Sequence, residues 1–332
     1  MIILEWERCV PSRRSFVASC GVMVGSALLP GLGRAETYRR IPQKASARVI
    51  VDNDFAGDPD GLVALAHQLL SPRTHTVLVT ASALDPKLLG DVPAGTTAAA
   101  GRAVAEELIR RAGIAKAPPV MAGSELLGAV QPEASAAARA IVAEAMRDDP
   151  LPLYFTCGGP LTNLAAALRL EPKIAGRMTV IWIGGGAYPA GGWEYNLSAD
   201  IAAAQIVIEQ SKVPLWQIPQ DAYRQMQFSV AELAEQLRPI SPFGEWLYDR
   251  FTTPPAFVDV GGSWPLGDSP TVLLSAISQE SSTHVDLQAR RIKADCTYGE
   301  EIAGRSLRVF RTLDARLTFG DFFALMRLHA RR

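Results

Sequence analysis

From Ala47 onward the chain alternates short β-branched apolar runs with Ala/Leu-rich stretches whose apolar residues recur at helical spacing. That is the pattern of a mostly parallel sheet covered by helices. It predicts strands over Arg48 to Val51, Thr76 to Thr80, Leu153 to Thr156, Thr179 to Ile183 and Pro214 to Ile218. Helices are predicted over Leu62 to Leu70, Thr97 to Ala112, Ala136 to Met146, Leu164 to Leu170, Ile201 to Gln210 and Val230 to Leu237. Asp200 and Ser229 stand directly before two of these, where a side-chain oxygen can accept from the free amides of the first turn. Residues Pro239 to Pro270 change character to aromatics, prolines and glycines, and read as the rim or lid of a site within one domain. The tail from His284 to Leu317 is strand-rich, and a closing helix follows from Phe319 to Leu328. The expected fold is α/β, an open Rossmann-like sheet flanked by helices, in a single domain over 36–332.

The first 35 residues form a separate unit. Arg13 and Arg14 precede a mildly apolar run and the small-residue site Gly33-Arg34-Ala35, the layout of a twin-arginine signal cleaved before Glu36. The expected destination is periplasmic or secreted. "VASC" before Gly21 also resembles a lipoprotein box, but the apolar run is cut too short on that reading. The full chain of 332 residues is nearly balanced, with 33 basic and 34 acidic side chains, and is 48% hydrophobic. Losing residues 1–35 would leave 29 basic against 32 acidic. This argues against nucleic acid or an anionic membrane as partner and for a small or neutral ligand. No later segment is long and apolar enough to span a membrane. Cys157 and Cys296 remain after cleavage; they permit one disulfide but no metal site by their spacing.

In open α/β sheets ligands bind beyond the carboxyl ends of strands, so the polar residues behind each apolar run carry the functional signal. Four places stand out: "VDNDFAGDPDG" after the first strand, "TCGGPLTN", "GGGAYPAGGWEYN" and "WPLGDSP". The first puts Asp52, Asp54, Asp58 and Asp60 within nine residues. Carboxylates so close either raise one another's pKa or share a cation, and an all-oxygen set suits Ca²⁺. Capping of a helix N-terminus would account for one or two of them.

In this order the motifs resemble the inosine-uridine-preferring nucleoside hydrolases, from about Val49 to Leu317. The acidic cluster stands for that family's "Asp-x-Asp-Pro-Gly-x-Asp-Asp", and "GPLTN", "WEYNLSADIAAA" and "GDSPTVL" follow where the family has corresponding segments. The resemblance implies a Ca²⁺-dependent hydrolysis of ribonucleoside N-glycosidic bonds and a possible homo-oligomer. It makes Asp54 a calcium ligand and the base for the attacking water, Asp268 the last protein ligand with a contact to the sugar, and Thr162 a carbonyl donor to the metal. Glu194 and Asn196 would hold sugar hydroxyls. Two residues more than the family has separate Asp54 from the helix; a helix-anchored alignment puts Asp60 on the ribose-contacting aspartate and Gly61 on a calcium ligand. Asp58 or Asp60 would then supply the missing carboxylate. The chemistry is coherent: an oxocarbenium-like sugar needs an activated water on one face and negative charge nearby.

The departures fall on leaving-group recognition. Gly267 replaces a histidine, the loop Tyr188 to Gly192 is short, and Ser82-Ala83-Leu84 replaces "Gly-Asn-Val". Trp193 and Tyr248, with Tyr195, Tyr223, Trp246 and Trp264, are the aromatic candidates for stacking on a planar aglycone. His284 is the one histidine near the last motif, and Cys157 reads as a small buried residue. Other readings are a calcium-dependent riboside-binding protein without turnover, a hydrolase of another glycoside, and a Mg²⁺ phosphatase of the haloacid-dehalogenase type. The last needs an acid just after the late aspartate, where Thr271 and Val272 stand.

Overall fold

The computed structural model describes residues 43–85, 87, 95–129, 134–256 and 258–332, which belong to one compact unit running from Gln43 to Arg332. The twin-arginine segment and its cleavage site lie outside the described residues.

Eight strands form the main sheet: β1 (Ala47–Asn53), β2 (Thr74–Ala81), β3 (Val120–Ala122), β4 (Leu153–Cys157), β5 (Thr179–Ile183), β6 (Leu215–Ile218), β9 (Thr283–Ile292) and β10 (Tyr298–Thr312). Their order is β3-β2-β1-β4-β5-β6-β10-β9, and every pairing is parallel except that of β9 with β10. The chain therefore winds outward in one direction from β1 to β3 and in the other from β4 to β6. The reversal between β1 and β4 is the switch point at which such sheets bind ligands. A second sheet pairs β7 (Gln227–Ser229) with β8 (Ser263–Pro265).

The predicted strands are all present, with β1 extended at its end to include Asp52 and Asn53; β3 was not expected, being only three residues long. Helices α1 (Asp60–Leu70), α2 (Thr97–Arg111), α3 (Ala136–Met146) and α4 (Thr162–Leu170) follow the first strands. Then come α5 (Tyr195–Ala199), α6 (Ile201–Gln205), α7 (Gln220–Tyr223), α8 (Val230–Gln236), α9 (Pro242–Thr252), α10 (Pro270–Val272) and α11 (Ala315–His329). Past α6 the helix widens into a π turn over Ile206–Gln210. Asp200 caps α6 by accepting from the Ala203 amide at 2.9 Å, and Ser229 caps α8 in a capping box with Glu232.

The sheet is buried on both faces, which is why its central strands read as continuous apolar runs instead of alternating ones. Val49 and Val51 pack on the face covered by α1, α2, α8, α9 and α11, whereas Ile50 packs on the face of α3, α4 and α6. The same alternation continues past the last apolar residue. Asp52 turns toward α4, where Asn163 meets it, and Asn53 turns toward α1, where Gly61 lies against it.

Trp182 links core to site. It is fully buried on β5, and its indole N–H donates to the Gly159 carbonyl at 3.1 Å, fixing the turn that follows β4. Trp182→Ala should therefore cost about 3–5 kcal/mol of stability, read as a lower urea midpoint at constant slope.

Candidate active site

Strand ends at the switch point, the loop before α5, the start of α7 and the segment before α10 together enclose a cavity of about 340 Å³. Its walls include Asp54, Asp58, Asp60, Gly158, Glu194, Asn196, Tyr223 and Asp268. Two roomier surface grooves, one between Arg102 and Met121 and one between Leu168 and Lys212, gather no such set of acids.

The carboxylates reach this point from separate elements. Asp54 follows β1, Asp60 opens α1, and Asp268 precedes α10; all three are buried, and Asp58 is half-buried. The Asp268 amide donates to Asp60 Oδ2 at 3.1 Å, and Asn53 Nδ2 donates to Asp268 Oδ2 at 2.7 Å. Burial first, then repulsion from Asp58 and Asp268, holds the Asp54 carboxyl well above the ordinary carboxylate range. Asp60 is raised by burial, by Asp268 and by Asp58, and Asp268 is pushed up to about 8 by burial and then by Asp58. Mutual repulsion among buried acids is the signature of a site that accommodates positive charge or shares protons. Among the described residues, no group of three or more His, Cys, Asp or Glu side chains is placed to hold a metal ion by itself.

Asp52 belongs to the support beneath this cluster. It accepts from Thr80 Oγ1 at 2.5 Å, from Asn163 Nδ2 at 2.8 Å and from the Cys157 thiol at 3.5 Å, and burial pushes it up to about 6. Cys157 is held as a neutral thiol by burial and by that neighbouring carboxylate, so it is no nucleophile. Cys157 and Cys296 are both free thiols, so the permitted disulfide is not formed.

Opposite the aspartates, Glu194 caps α5 and is fully engaged. The amides of Gly185 (2.7 Å), Leu197 (3.0 Å) and Asn196 (3.2 Å) donate to it, as does the Tyr223 hydroxyl at 3.1 Å. Burial still leaves its pKa above the ordinary value. Asn196 donates from Nδ2 to the carbonyls of Gly158 at 3.0 Å and Ile183 at 2.9 Å, while its buried Oδ1 has no partner. A buried acceptor without a donor is costly unless a ligand supplies one.

The cavity includes ten of the residues singled out from the sequence for the site: Asp54, Asp58, Asp60, Asp268, Glu194, Asn196, Tyr195, Tyr223, Trp264 and Trp193, the last 64% exposed at the rim. Val258, Asp259 and Trp264 make the Pro239 to Pro270 segment part of the rim.

Thr162 and Tyr248 are not brought there. Thr162 is the first residue of α4 and spends its hydroxyl on Asp200 Oδ2 at 2.6 Å; of the same motif, Gly158 is the residue that lines the cavity. Tyr248 lies on α9 with the Arg238 guanidinium 5.6 Å from its ring centre, and Trp246 is flanked by Arg111 and Arg250. His284 lies on the edge strand β9 against Phe310, away from the cavity residues.

Two residues escaped the sequence reading. Asn53 and Gly158 were given no role at the site. The visible sign was a glycine in the first turn of α1, a position where helices do not favour one.

A family profile described as "Inosine-uridine preferring nucleoside hydrolase" matches residues 49–317. The chain is 33% identical over 119 residues to the pyrimidine-specific ribonucleoside hydrolase RihA of Salmonella arizonae, a stretch covering 33% of this chain and 38% of that protein. It is 35% identical over 109 residues to the pyrimidine-specific ribonucleoside hydrolase RihB of Shigella sonnei, covering 31% of this chain and 34% of that one. The aligned stretches thus span little more than a third of these relatives. Among solved structures, the plant nucleoside hydrolase PpNRh1 superimposes with a TM-score of 0.64 at 20% identity, over 86% of this chain and 99% of that one. A purine-preferring ribonucleoside hydrolase from Gardnerella vaginalis gives the same values. These structures share the fold, and the profile, matching most of the chain in the motif order of the cavity, places this protein in the inosine-uridine-preferring nucleoside hydrolase family.

Proposed function

We propose that this protein hydrolyses the N-glycosidic bond of ribonucleosides with a bound divalent cation, Ca²⁺ by the chemistry of its donors. The observation that carries the reading is the convergence of three buried aspartates and half-buried Asp58 on one cavity, facing Glu194 and Asn196. The donor set fits such a cation: every charged candidate is a hard oxygen, and carbonyls and water complete a calcium shell where carboxylates alone do not close it. Gly158 supports the fit, because a Cβ built there would lie 2.4 Å from the Asp268 carboxyl carbon, so only bare backbone lets that acid reach the strand end. Asp54 and Asp268 would hold the ion, with a third carboxylate from Asp58 or Asp60.

When bound, the cation would lower the pKa of a water and orient vicinal sugar hydroxyls. The chain's own residues supply the rest. Asp54, a buried carboxylate on the cavity wall, accepts the proton of the attacking water. The unpaired Asn196 Oδ1 accepts a sugar hydroxyl, and Glu194, held by three amides and the Tyr223 hydroxyl, fixes the wall that faces the ring, turning binding into positioning. The surrounding carboxylates favour the positive sugar of the transition state. Protonation of a leaving group from position 267 is not available: a Cβ on Gly267 would stand 3.1 Å from the Tyr223 ring, which occupies that side of the cavity. Arg13 and Arg14 with Gly33-Arg34-Ala35 support twin-arginine export as part of the same reading.

Purified protein incubated with a panel of purine, pyrimidine and nicotinamide ribosides should release ribose in calcium and not in chelator. Release from none of them would sink the hydrolase reading and leave a riboside-binding protein or a hydrolase of another glycoside. Asp54→Asn should lower turnover by about 10²–10⁴-fold on whichever riboside is cleaved; unchanged turnover would remove Asp54 from the role of base.

The raised carboxyls also set a pH dependence for the ion-free protein. Asp52 at about 6 and Asp268 at about 8 bind protons more tightly folded than at their ordinary value of 3.8. Their contribution to stability is complete below that ordinary value and is lost as the pH rises through 6 and 8. In chelator the melting temperature should fall between pH 5 and pH 8.5, by about the span those groups titrate, and saturating calcium should remove the share of the fall that belongs to Asp268. A profile that calcium leaves untouched would contradict a cation at these carboxylates.

A further inference from the structure

Gly61 is the second residue of α1, yet it is absent from the positive-φ glycines, so no backbone requirement explains it. Space does. A Cβ built on Gly61 would lie 2.7 Å from Asn53 Nδ2 and 2.8 Å from its Cγ and Oδ1, closer than real side chains approach. On the other side, a Cβ on Gly158 would lie 2.4 Å from the same Nδ2 and 2.5 Å from Asp268 Oδ1. The Asn53 carboxamide is thus wedged between two glycines contributed by α1 and by the turn after β4. It is 3% exposed, and among the described residues its one hydrogen bond to a side chain runs to Asp268 at 2.7 Å.

We propose that Asn53 is a positioning residue for the cation site, holding the Asp268 carboxylate in place through its amide, and that Gly61 and Gly158 exist to make room for it. The inference rests on the cation reading of the proposed function. It assigns to β1 a neutral donor where a further acid would add to the repulsion among Asp54, Asp60 and Asp268. A carboxylate ligand oriented by a hydrogen bond from outside the coordination shell holds a metal more tightly than an unbraced one. Alanine at position 61 would keep the helix, and favour it, since alanine is the better helix former. Its methyl would nonetheless push the carboxamide off Asp268, because Gly158 closes the opposite side. A purely structural role for Gly61 predicts the reverse, a variant that is more stable and binds the ion unchanged.

The test is a double-mutant cycle read by calcium calorimetry and terbium luminescence on the purified protein, with melting in chelator to verify folding. Asn53→Ala and Gly61→Ala should each weaken calcium affinity by about 10–100-fold. The double variant should bind no more weakly than Asn53→Ala alone, because the added methyl then has nothing to displace. Wild-type affinity in either single variant, or losses that add in the double, would overturn the proposal. Should Asn53→Ala not fold, wild-type affinity in Gly61→Ala overturns it alone, and the expected loss there supports it. A wild-type protein that binds neither ion overturns this inference together with the cation reading, whereas ribose release in chelator by a protein that binds calcium overturns only the latter's role in turnover.

Discussion

Repulsion among Asp54, Asp60 and Asp268 is the constraint around which the rest of the molecule is arranged. Three carboxyls from three distant parts of the chain are brought out of water against one another, and each has its proton affinity raised by burial and by its neighbours. A fold tolerates such a cluster only when the scaffold is stable enough to over-determine it and when bound protons or a ligand relieve the repulsion. The scaffold here is a doubly covered parallel sheet with a core on each face. The acids sit at its switch point, where neighbouring crossover helices diverge and leave a crevice.

Support for the cluster comes in layers of polar contacts that the apolar sheet passes into at its carboxyl edge. On the α4 side, Asp52 is saturated by Thr80, Asn163 and Cys157, which ties β1, β2, β4 and α4 together just under the cavity floor. On the α1 side, Asn53 ties β1 to Asp268. Across the cavity, Glu194 is gripped by three main-chain amides and Tyr223, so the wall that would face a sugar is as fixed as the wall that would face an ion. Glycines recur here for lack of space more than for turns. Gly61, Gly158 and Gly267 each have a polar or aromatic side chain where a Cβ would project.

Much of this was legible in the sequence. The central strands, most helices and the caps at Asp200 and Ser229 follow from periodicity and local hydrogen bonding, which depend on neighbours in the chain. The acids at the ends of apolar runs marked the site for the same reason: strand polarity puts whatever follows a strand at the binding edge. The residues that do not line the cavity are placed by physical causes too. Thr162 and Gly158 are four residues apart in one motif, but only one lies before the helix starts, and the other turns its hydroxyl to Asp200. Tyr248 and Trp246 have the composition of a binding rim, yet they lie on α9 beside Arg238, Arg111 and Arg250.

By itself the sequence determined the α/β class, the identity of the acidic strand end and the set of oxygen-bearing residues available to it, because these depend on residue type, period and strand polarity. The tertiary structure decided which of them meet. Asn53 joins Asp268 across more than two hundred positions of chain, and Tyr223 closes the space over Gly267. Such contacts depend on how helices and turns from different crossovers are spaced over the sheet, and no local pattern in the chain encodes that spacing.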